Sequence, residues 1–292
     1  MFCNVLVGVN EGPGVRDAIA LAKDLLARDG NLALAHVHRG DPSTREVSPV
    51  FAEAERLRSR ELLEAARAEA GIDAGLLWIG SSSVGRGLHE IAERHRADLL
   101  VVGSSSRSLL GRVLIGDHTR DALNNALCAV AIAPAGYAER PAVLGEIGVG
   151  YDGSPESEHA LAVAREIANQ LGANVSAFEA VSLPYGRRVN VAALEQLIEA
   201  ARARIAALGD VEPHAAYGEP AEELALYGAS VDLLIVGSRG YGPIGRLVHG
   251  STSRRLAQTA RCPLLVLTRA ADATDDLVEV EVRRENPNVA VP

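Results

Sequence analysis

Two glycine-rich segments combine small residues, hydroxyl groups and arginine in an order suited to binding an anion. The segment GSRGYGPIGRLVHGSTS runs from Gly237 to Ser253, and a related segment, GSSSRSLLGRVLIGDHT, runs from Gly103 to Thr119. Glycines allow a turn with positive φ and let the backbone approach a ligand closely. Successive N–H groups followed by the positive end of a helix form a phosphate site. A glycine-rich turn followed by an ordinary serine N-cap is the alternative that these residues leave open.

The two segments differ at the positions where the residue type matters most for binding a phosphate. The second segment has Gly240 and Ser251, where the first has Ser106 and Asp117. A carboxylate about 4 Å from a phosphate charge costs about 4 kcal/mol at an effective dielectric constant of about 20, close to a thousandfold in affinity. Aspartate is also a good N-cap, so Asp117 takes the place of the anion at the start of the next helix. We therefore expect the first half to bind triphosphate poorly or not at all.

Length, charge and cysteine content limit the class of protein. The chain has 292 residues, enough for two domains, and a formal net charge of −9, which argues against nucleic acid or an anionic membrane as the main partner. The first residues lack the basic flank and apolar segment of a signal peptide, and no apolar run approaches the ~20 residues of a membrane span. Three cysteines do not make a disulfide framework. We expect a soluble, cytoplasmic protein.

The sequence repeats itself once, with the same elements in the same order. The matched segments are VLVGVNEGPGVRDAIALAKDLL from Val5 with IGVGYDGSPESEHALAVAREIA from Ile147, ADLLVVGSSS from Ala97 with VDLLIVGSRG from Val231, and CAVAIAP from Cys128 with CPLLVLT from Cys262. This order indicates a duplicated domain. We predict domains at residues 1–138 and 143–270 and a tail at 271–292, in which LVEVEV is either an edge strand or irregular.

Each half alternates apolar strands with helices. In the second half a strand at about 146–151 precedes a helix that begins at Ser154-Pro155 and ends at Gly172. NVSAFEAV, VEPHAAY, DLLIVG and CPLLVL then read as strands, with a helix near PAEELALYG. Such a pattern is typical of an α/β fold with a parallel sheet covered on both faces. Its ligands lie beyond the carboxyl ends of the strands, here from Asp152 and from Gly237 onward.

Two other nucleotide signatures are weak or absent. GVGYDG, residues 148–153, fits the dinucleotide pattern G-x-G-x-x-G, but the first half has Leu6 and Glu11 at two of the three glycine positions. A P-loop requires a lysine after its last glycine, and the only lysine is Lys23, in a predicted helix. Neither signature supports a site.

The second glycine-rich segment resembles the ATP-binding motif of the universal stress protein family. Its spacing, G-x2-G-x9-G-[ST], is met by Gly237, Gly240, Gly250 and Ser251. The surrounding DLLIVGSRGYGPIGRLVHGSTSRRLAQTARCPLLVL and the acidic residue in GYDGSPESEHAL are also similar to the family. The likeness covers residues 3–135 and 145–269, as in tandem members. It implies two Rossmann-like (adenine nucleotide alpha hydrolase-like) domains, each a five-stranded parallel sheet flanked by helices.

The same resemblance implies a ligand and the residues that hold it. The ligand is ATP, with Mg²⁺ or Mn²⁺. The implied contacts are Asp152 and Ala180 by the base, Gly237 at the ribose, and Gly240, Gly250, Ser251 and Thr252 on the phosphates. No cluster of His, Cys or carboxylates has metal-ligand spacing, so the nucleotide would supply most ligands of the cation. The first half has Asn10 in place of the aspartate.

Three functions fit these observations. The leading hypothesis is an ATP-binding protein of stress response or signalling, whose nucleotide biases conformation or partner binding. The alternatives are an interaction module that needs no nucleotide and a slow ATPase, for which His249 is the one candidate base and no catalytic residue is assigned. Family members often pair through their last strands, which implies an internal pseudo-dimer here; a homodimer and a protein partner stay open.

Some other residues have both a functional and a bland interpretation. Cys128 and Cys262 could form a redox pair, but buried packing is favoured. Arg239 and Arg246 either screen the nucleotide or face solvent. An apolar stripe from Leu57 to Ala66 predicts a helical packing face.

Overall fold

The computed structural model describes residues 1–40, 49–104, 106–107, 113–114, 126–139, 143–183, 190–238, 255–256, 259 and 262–268. The first half contains, in order, β1 (Phe2–Gly8), α1 (Val15–Leu25), β2 (Leu26–Arg39), α2 (Pro49–Ala70), β3 (Gly75–Ser81), α3 (Val84–Arg94), β4 (Leu99–Gly103), β5 (Ser106–Arg107), β6 (Val113–Leu114) and β7 (Ala129–Ala133). The second half contains β8 (Glu146–Gly150), α4 (Pro155–Leu171), β9 (Asn174–Val181), α5 (Val191–Ala206), β10 (Glu212–Tyr217), α6 (Pro220–Tyr227), β11 (Leu233–Gly237) and β12 (Leu264–Leu267).

Ten of these strands form one sheet with the order β10-β9-β8-β11-β12-β7-β4-β1-β2-β3. In this sheet all pairs within a half are parallel, and β12 pairs with β7 in the antiparallel sense. The predicted α/β fold with five parallel strands in each half is therefore confirmed. The halves join through their last strands, as the pseudo-dimer expectation required. β5 and β6 form a separate two-stranded ribbon after β4.

The two buried cysteines lie at opposite ends of the β7–β12 junction. Leu264 pairs with Ile132 across this junction, so Cys128 and Cys262 stand about six residues apart along it, roughly 20 Å. A disulfide requires Cα atoms within about 7 Å. Burial raises the pKa of Cys128 to about 11 and that of Cys262 to about 12, so neither is a reactive thiolate at neutral pH. Both thiols are free and buried, which confirms the packing interpretation and excludes a disulfide between them.

Helix α4 begins and ends where its sequence predicts. Ser154 is the N-cap and its hydroxyl accepts a hydrogen bond from the N–H of Ser157, while Pro155 occupies the first helical position. Gly172 ends the helix with φ of 69°, a left-handed conformation that suits glycine. The residues at helical spacing, Ala160, Leu161, Ala164, Ile167 and Ala168, are buried, whereas Leu171 at the end of the helix is 40% exposed.

The packing face predicted for α2 is wrong at Leu57, which is 56% exposed. The buried stripe of this helix runs through Ser59, Leu63 and Ala66. At about 100° per residue, Leu57 points roughly 120° away from Leu63, so it cannot share that face.

The aspartate in the repeated motif before β4 and β11 has a structural role. Asp98 accepts a hydrogen bond from the N–H of Asn4 at 2.9 Å, and Asp232 accepts one from the N–H of Glu146 at 2.9 Å. Asp98 also accepts a hydrogen bond from the N–H of Cys3 at 2.7 Å, and Asp232 accepts one from the N–H of Gly145 at 2.9 Å. Asp98 and Asp232 therefore hold the first strand of each half in register with the fourth, which is why this residue recurs.

The segment that joins the halves is held against α1. The carboxylate of Asp17 accepts hydrogen bonds from the N–H groups of Gly136 (2.9 Å) and Ala138 (2.8 Å). The hydroxyl of Tyr137 donates to Asp24 at 2.7 Å, and burial raises the pKa of both side chains.

The predicted domain boundaries near this joint remain predictions, and the tail at 271–292 with LVEVEV lies outside the described residues. In the described ranges, no helix has the length and apolar character to cross a membrane.

Candidate functional site

The candidate site lies where the strand order of the second half reverses. β8 has β9 on one side and β11 on the other, and Gly150 at its end pairs with Phe178 and with Val236. The carboxyl ends of these three strands carry Ala180, Asp152 and Gly237 at one edge of the sheet. This is the position at which α/β sheets bind their ligands.

Asp152 shapes the turn that leads into α4. Its Oδ1 accepts hydrogen bonds from the N–H of Ser154 at 3.0 Å and from the hydroxyl of Ser154 at 2.5 Å. In the first half the side chain of Asn10 accepts from the N–H of Gly12 at 2.8 Å. Asparagine therefore reproduces the turn of aspartate but without its negative charge.

Gly237 is a glycine because the chain packs too closely for a side chain. A Cβ atom there would lie 2.5 Å from the carbonyl oxygen of Glu156, in the first turn of α4. At the matched Gly103 a Cβ atom would lie 2.1 Å from the carbonyl oxygen of Gly14. Both halves thus bring the end of the fourth strand against the helix that follows the first strand, whether or not a ligand binds.

Ala180 leaves room at the edge of the site. It lies on β9 opposite Ala216 of β10 and is half-buried against the apolar layer on that face. The register assigns its counterpart in the first half, because Gly8 pairs with Ala35 just as Gly150 pairs with Phe178. Two residues further, Ala180 corresponds to Val37.

The phosphate-binding part of the predicted site lies outside the described residues. This applies to Gly240, Gly250, Ser251 and Thr252, and to Asp117, Arg239, Arg246 and His249. Their assigned roles remain predictions.

An arginine that the sequence did not single out ties the segment after the motif to this edge. Arg255, four residues after Ser251, is helical and forms ion pairs with Glu219 at 3.2 Å and Glu222 at 3.4 Å. Glu219 is also the N-cap of α6 and accepts from the N–H of Ala221. These partners are more than thirty residues from Arg255, and no local signal in the sequence pairs them.

Packing accounts for the glycines that mimic a dinucleotide fingerprint. A Cβ atom on Gly148 would lie 2.8 Å from Cε1 of Tyr227, and one on Gly150 would lie 3.0 Å from Cγ1 of Val236. Gly153 has φ of 76° in the turn before α4. In the first half Leu6 is buried at the position of Gly148. These glycines make room for neighbours and for a turn.

The first half has a cavity of about 530 Å³ at the corresponding strand ends. Asn10, Val37 and Gly103, the counterparts of Asp152, Ala180 and Gly237, all line it. The described residues contain no group of three His, Cys, Asp or Glu side chains that could hold a metal ion.

The sequence model of the universal stress protein family matches residues 1–134 and 145–268. The chain belongs to the universal stress protein family. The two matched segments are the two structural halves, which makes this a tandem member. The motif resemblance and the strand topology of the two halves agree with this assignment.

Several universal stress proteins are similar to this chain over part of its length. One from Mycobacterium tuberculosis (strain H37Rv) is 32% identical over 186 residues, 59% of this chain and 62% of that protein, so the match spans about three fifths of the relative. One from Thermus aquaticus is 37% identical over 128 residues, 40% of this chain and 93% of that protein. One from Mycolicibacterium smegmatis is 30% identical over 204 residues, 65% of this chain and 67% of that protein.

One solved structure supports the tandem fold. A universal stress protein from Archaeoglobus fulgidus DSM 4304 superimposes with a TM-score of 0.64 at 17% identity, covering 91% of this chain and 98% of its own. Two other universal stress proteins, solved with cAMP and with dAMP, give TM-scores of 0.31 and 0.30 at 26% and 20% identity; they cover 42% and 43% of this chain and 95% and 99% of their own.

Proposed function

We propose that this universal stress protein binds ATP in its second half, and that the bound nucleotide biases its conformation or its choice of protein partner in stress response or signalling. Asp152 and Ala180 lie beside the base and Gly237 beside the ribose. The phosphates, with Mg²⁺ or Mn²⁺, lie on Gly240, Gly250, Ser251 and Thr252.

The observation that carries this proposal is the convergence of three strand ends at the switch point. Ala180, Asp152 and Gly237 follow the neighbouring strands β9, β8 and β11, and the intact glycine motif continues directly from Gly237. The surface beside Ala180 also suits an adenine base, because Ala180 is small and half-buried on an apolar face. Arg255 adds support, since it anchors the segment behind the motif to α6 at the same edge.

The nucleotide itself supplies most of the cation's ligands in this proposal. Phosphate oxygens are hard donors of the kind that Mg²⁺ prefers, and Mg²⁺ in nucleotide sites keeps several waters. The hydroxyls of Ser251 and Thr252 and the backbone N–H groups of the motif stabilise the phosphate charge. The protein thus acts by holding the nucleotide rather than by chemistry on it.

Substitution of Ala180 by phenylalanine tests the assignment of the base position. We expect Ala180→Phe to weaken Mg-ATP binding about tenfold or more, because a ring would fill the space of the base and overpacking by this much costs about 1–3 kcal/mol. The measurement is isothermal titration calorimetry on nucleotide-stripped protein. The matched control is Val37→Phe, at the corresponding position of the first half, which should leave Mg-ATP affinity unchanged. Equal losses in both variants, or unchanged affinity in Ala180→Phe with a folded protein, would count against the assignment.

A further inference from the structure

The cavity of the first half differs in chemistry from a triphosphate site. It opens at the ends of β1, β2 and β4, and the first half of α2 closes one side. Its volume of about 530 Å³ is within the range of small-molecule pockets, roughly 300–1,000 Å³. The cavity therefore has room for a ligand in the half whose motif lacks the phosphate-binding residues.

A buried hydroxyl in the cavity wall lacks a hydrogen-bond partner. Ser104 follows β4 and is 2% exposed, and its Oγ has no partner in the part of the chain that the structure describes. Leaving a buried hydroxyl unpaired costs about 1–3 kcal/mol. A polar ligand group in the cavity would remove this cost.

The charged and polar groups of the wall favour a ligand with hydrogen-bond donors over one with phosphates. No described side chain forms an ion pair with the half-buried Glu55, whereas Glu11 pairs with Arg58 at 2.8 Å. Nδ1 of His36 donates to the carbonyl oxygen of Val9 at 2.8 Å, so Nε2 of the neutral ring is an acceptor. Carboxylates and acceptors repel a phosphate and accept from N–H and O–H groups.

Part of the cavity lining is apolar and corresponds to the base end of the second site. Val37, Leu88 and Val102 line the cavity, at the positions that Ala180, Leu224 and Val236 occupy in the second half. The correspondence is visible at matched glycines, since Gly8 faces Leu88 and Val102 while Gly150 faces Leu224 and Val236. The lining of the first half thus combines an apolar wall that matches the base end of the second site with the carboxylate of Glu55 and the imidazole of His36.

We propose that the first half binds a nucleoside that carries no phosphate, at a site separate from the ATP site of the second half. The base packs on Val37, Leu88 and Val102, and a polar group of the ligand hydrogen-bonds to Ser104. Glu55 and His36 accept from amino or hydroxyl groups. The assignment of the base to this wall rests on the proposed function of the second half. The preference for a ligand without phosphate does not, because it follows from the carboxylate and acceptor groups that line the cavity.

The test is calorimetric titration of the full chain with adenosine in the presence of saturating Mg-ATP, which blocks the second half. We expect about one adenosine site per chain, and AMP should bind there about tenfold more weakly or less well. Ser104→Ala should weaken adenosine binding about three- to tenfold, the loss of one hydrogen bond. The matched variant Ser238→Ala, after β11, should leave it unchanged.

Two results would overturn this proposal: no heat of adenosine binding beside Mg-ATP, or AMP bound as tightly as adenosine. Equal effects of Ser104→Ala and Ser238→Ala would also remove Ser104 from the site. A protein that fails to bind Mg-ATP at all is a different outcome. It would contradict the proposed function of the second half. Titration with adenosine in the absence of ATP would then still test the first half, by comparing wild type with Ser104→Ala.

Discussion

Replacing Ser251 by aspartate should lower the affinity for Mg-ATP about a thousandfold. The substitution gives the second half the residue that the first half has at this point, Asp117. A carboxylate about 4 Å from a phosphate charge costs about 4 kcal/mol at an effective dielectric constant of about 20. Calorimetry on nucleotide-stripped protein, at fixed salt and Mg²⁺, measures the change.

The matched control, Ser251→Asn, has a similar shape without the charge. It should reduce affinity by no more than about tenfold, the effect of one lost hydrogen bond. Ser251→Asp and Ser251→Asn should also unfold at similar temperatures, because both are good N-caps. An affinity that stays within tenfold of wild type in Ser251→Asp would show that this residue does not face a phosphate. The charge explanation for the first half would fail with it.

Exchanging three core residues of the second half for those of the first should destabilise the protein singly but not together. Gly148, Ser176 and Tyr227 correspond to Leu6, Ala33 and Ile91. The correspondence follows from the register, since Leu6 pairs with Ala33 and Gly148 pairs with Ser176, and from position, since Ile91 and Tyr227 are both the eighth residue of their helix.

The second half fills with one tyrosine the space that two aliphatic residues fill in the first. Tyr227 stacks on Phe178 with ring centroids 4.9 Å apart, and its hydroxyl lies 2.5 Å from Oγ of the buried Ser176. It covers the backbone of Gly148, where an added Cβ would lie 2.8 Å from its ring. The missing side chain, the large ring and the hydroxyl partner are therefore one packing unit.

We expect Gly148→Leu alone to lower the free energy of unfolding by about 3 kcal/mol, at the upper end of the range for overpacking. Tyr227→Ile alone should cost about 2–4 kcal/mol, because it leaves a cavity and an unpaired Ser176 hydroxyl. The triple variant Gly148→Leu, Ser176→Ala, Tyr227→Ile should return to within about 1 kcal/mol of wild type. Urea denaturation followed by circular dichroism gives all three values. Additive losses in the triple variant would show that these three positions do not form one packing unit.

Local signals predicted much of this fold. Ser154 and Pro155 mark the start of α4, and Gly172 marks its end, because capping depends on neighbours within a few residues. The repeat then places the halves in the same order of strands, and the parallel sheet follows from strands that are apolar on both faces. Asp152 and Gly237 reach the same edge because parallel strands end on the same side.

Other features depend on contacts between distant residues. Arg255 meets Glu219 and Glu222 only after the sheet brings their segments together. Gly148 is a glycine because Tyr227, nearly eighty residues later, packs on it, so its match to the dinucleotide pattern G-x-G-x-x-G does not indicate a dinucleotide site. The packing role predicted for Leu57 was wrong for a simpler reason, since its angle around the helix axis places it off the buried stripe of α2.

The stoichiometry of Mg-ATP binding tests most directly whether one half binds ATP and the other does not. Nucleotide-stripped protein titrated in a calorimeter should bind about one Mg-ATP per chain, and Ser251→Asp should remove that site. Two Mg-ATP sites per chain would contradict the charge argument for the first half. No binding at all would contradict the proposed function and leave a universal stress protein that acts without nucleotide.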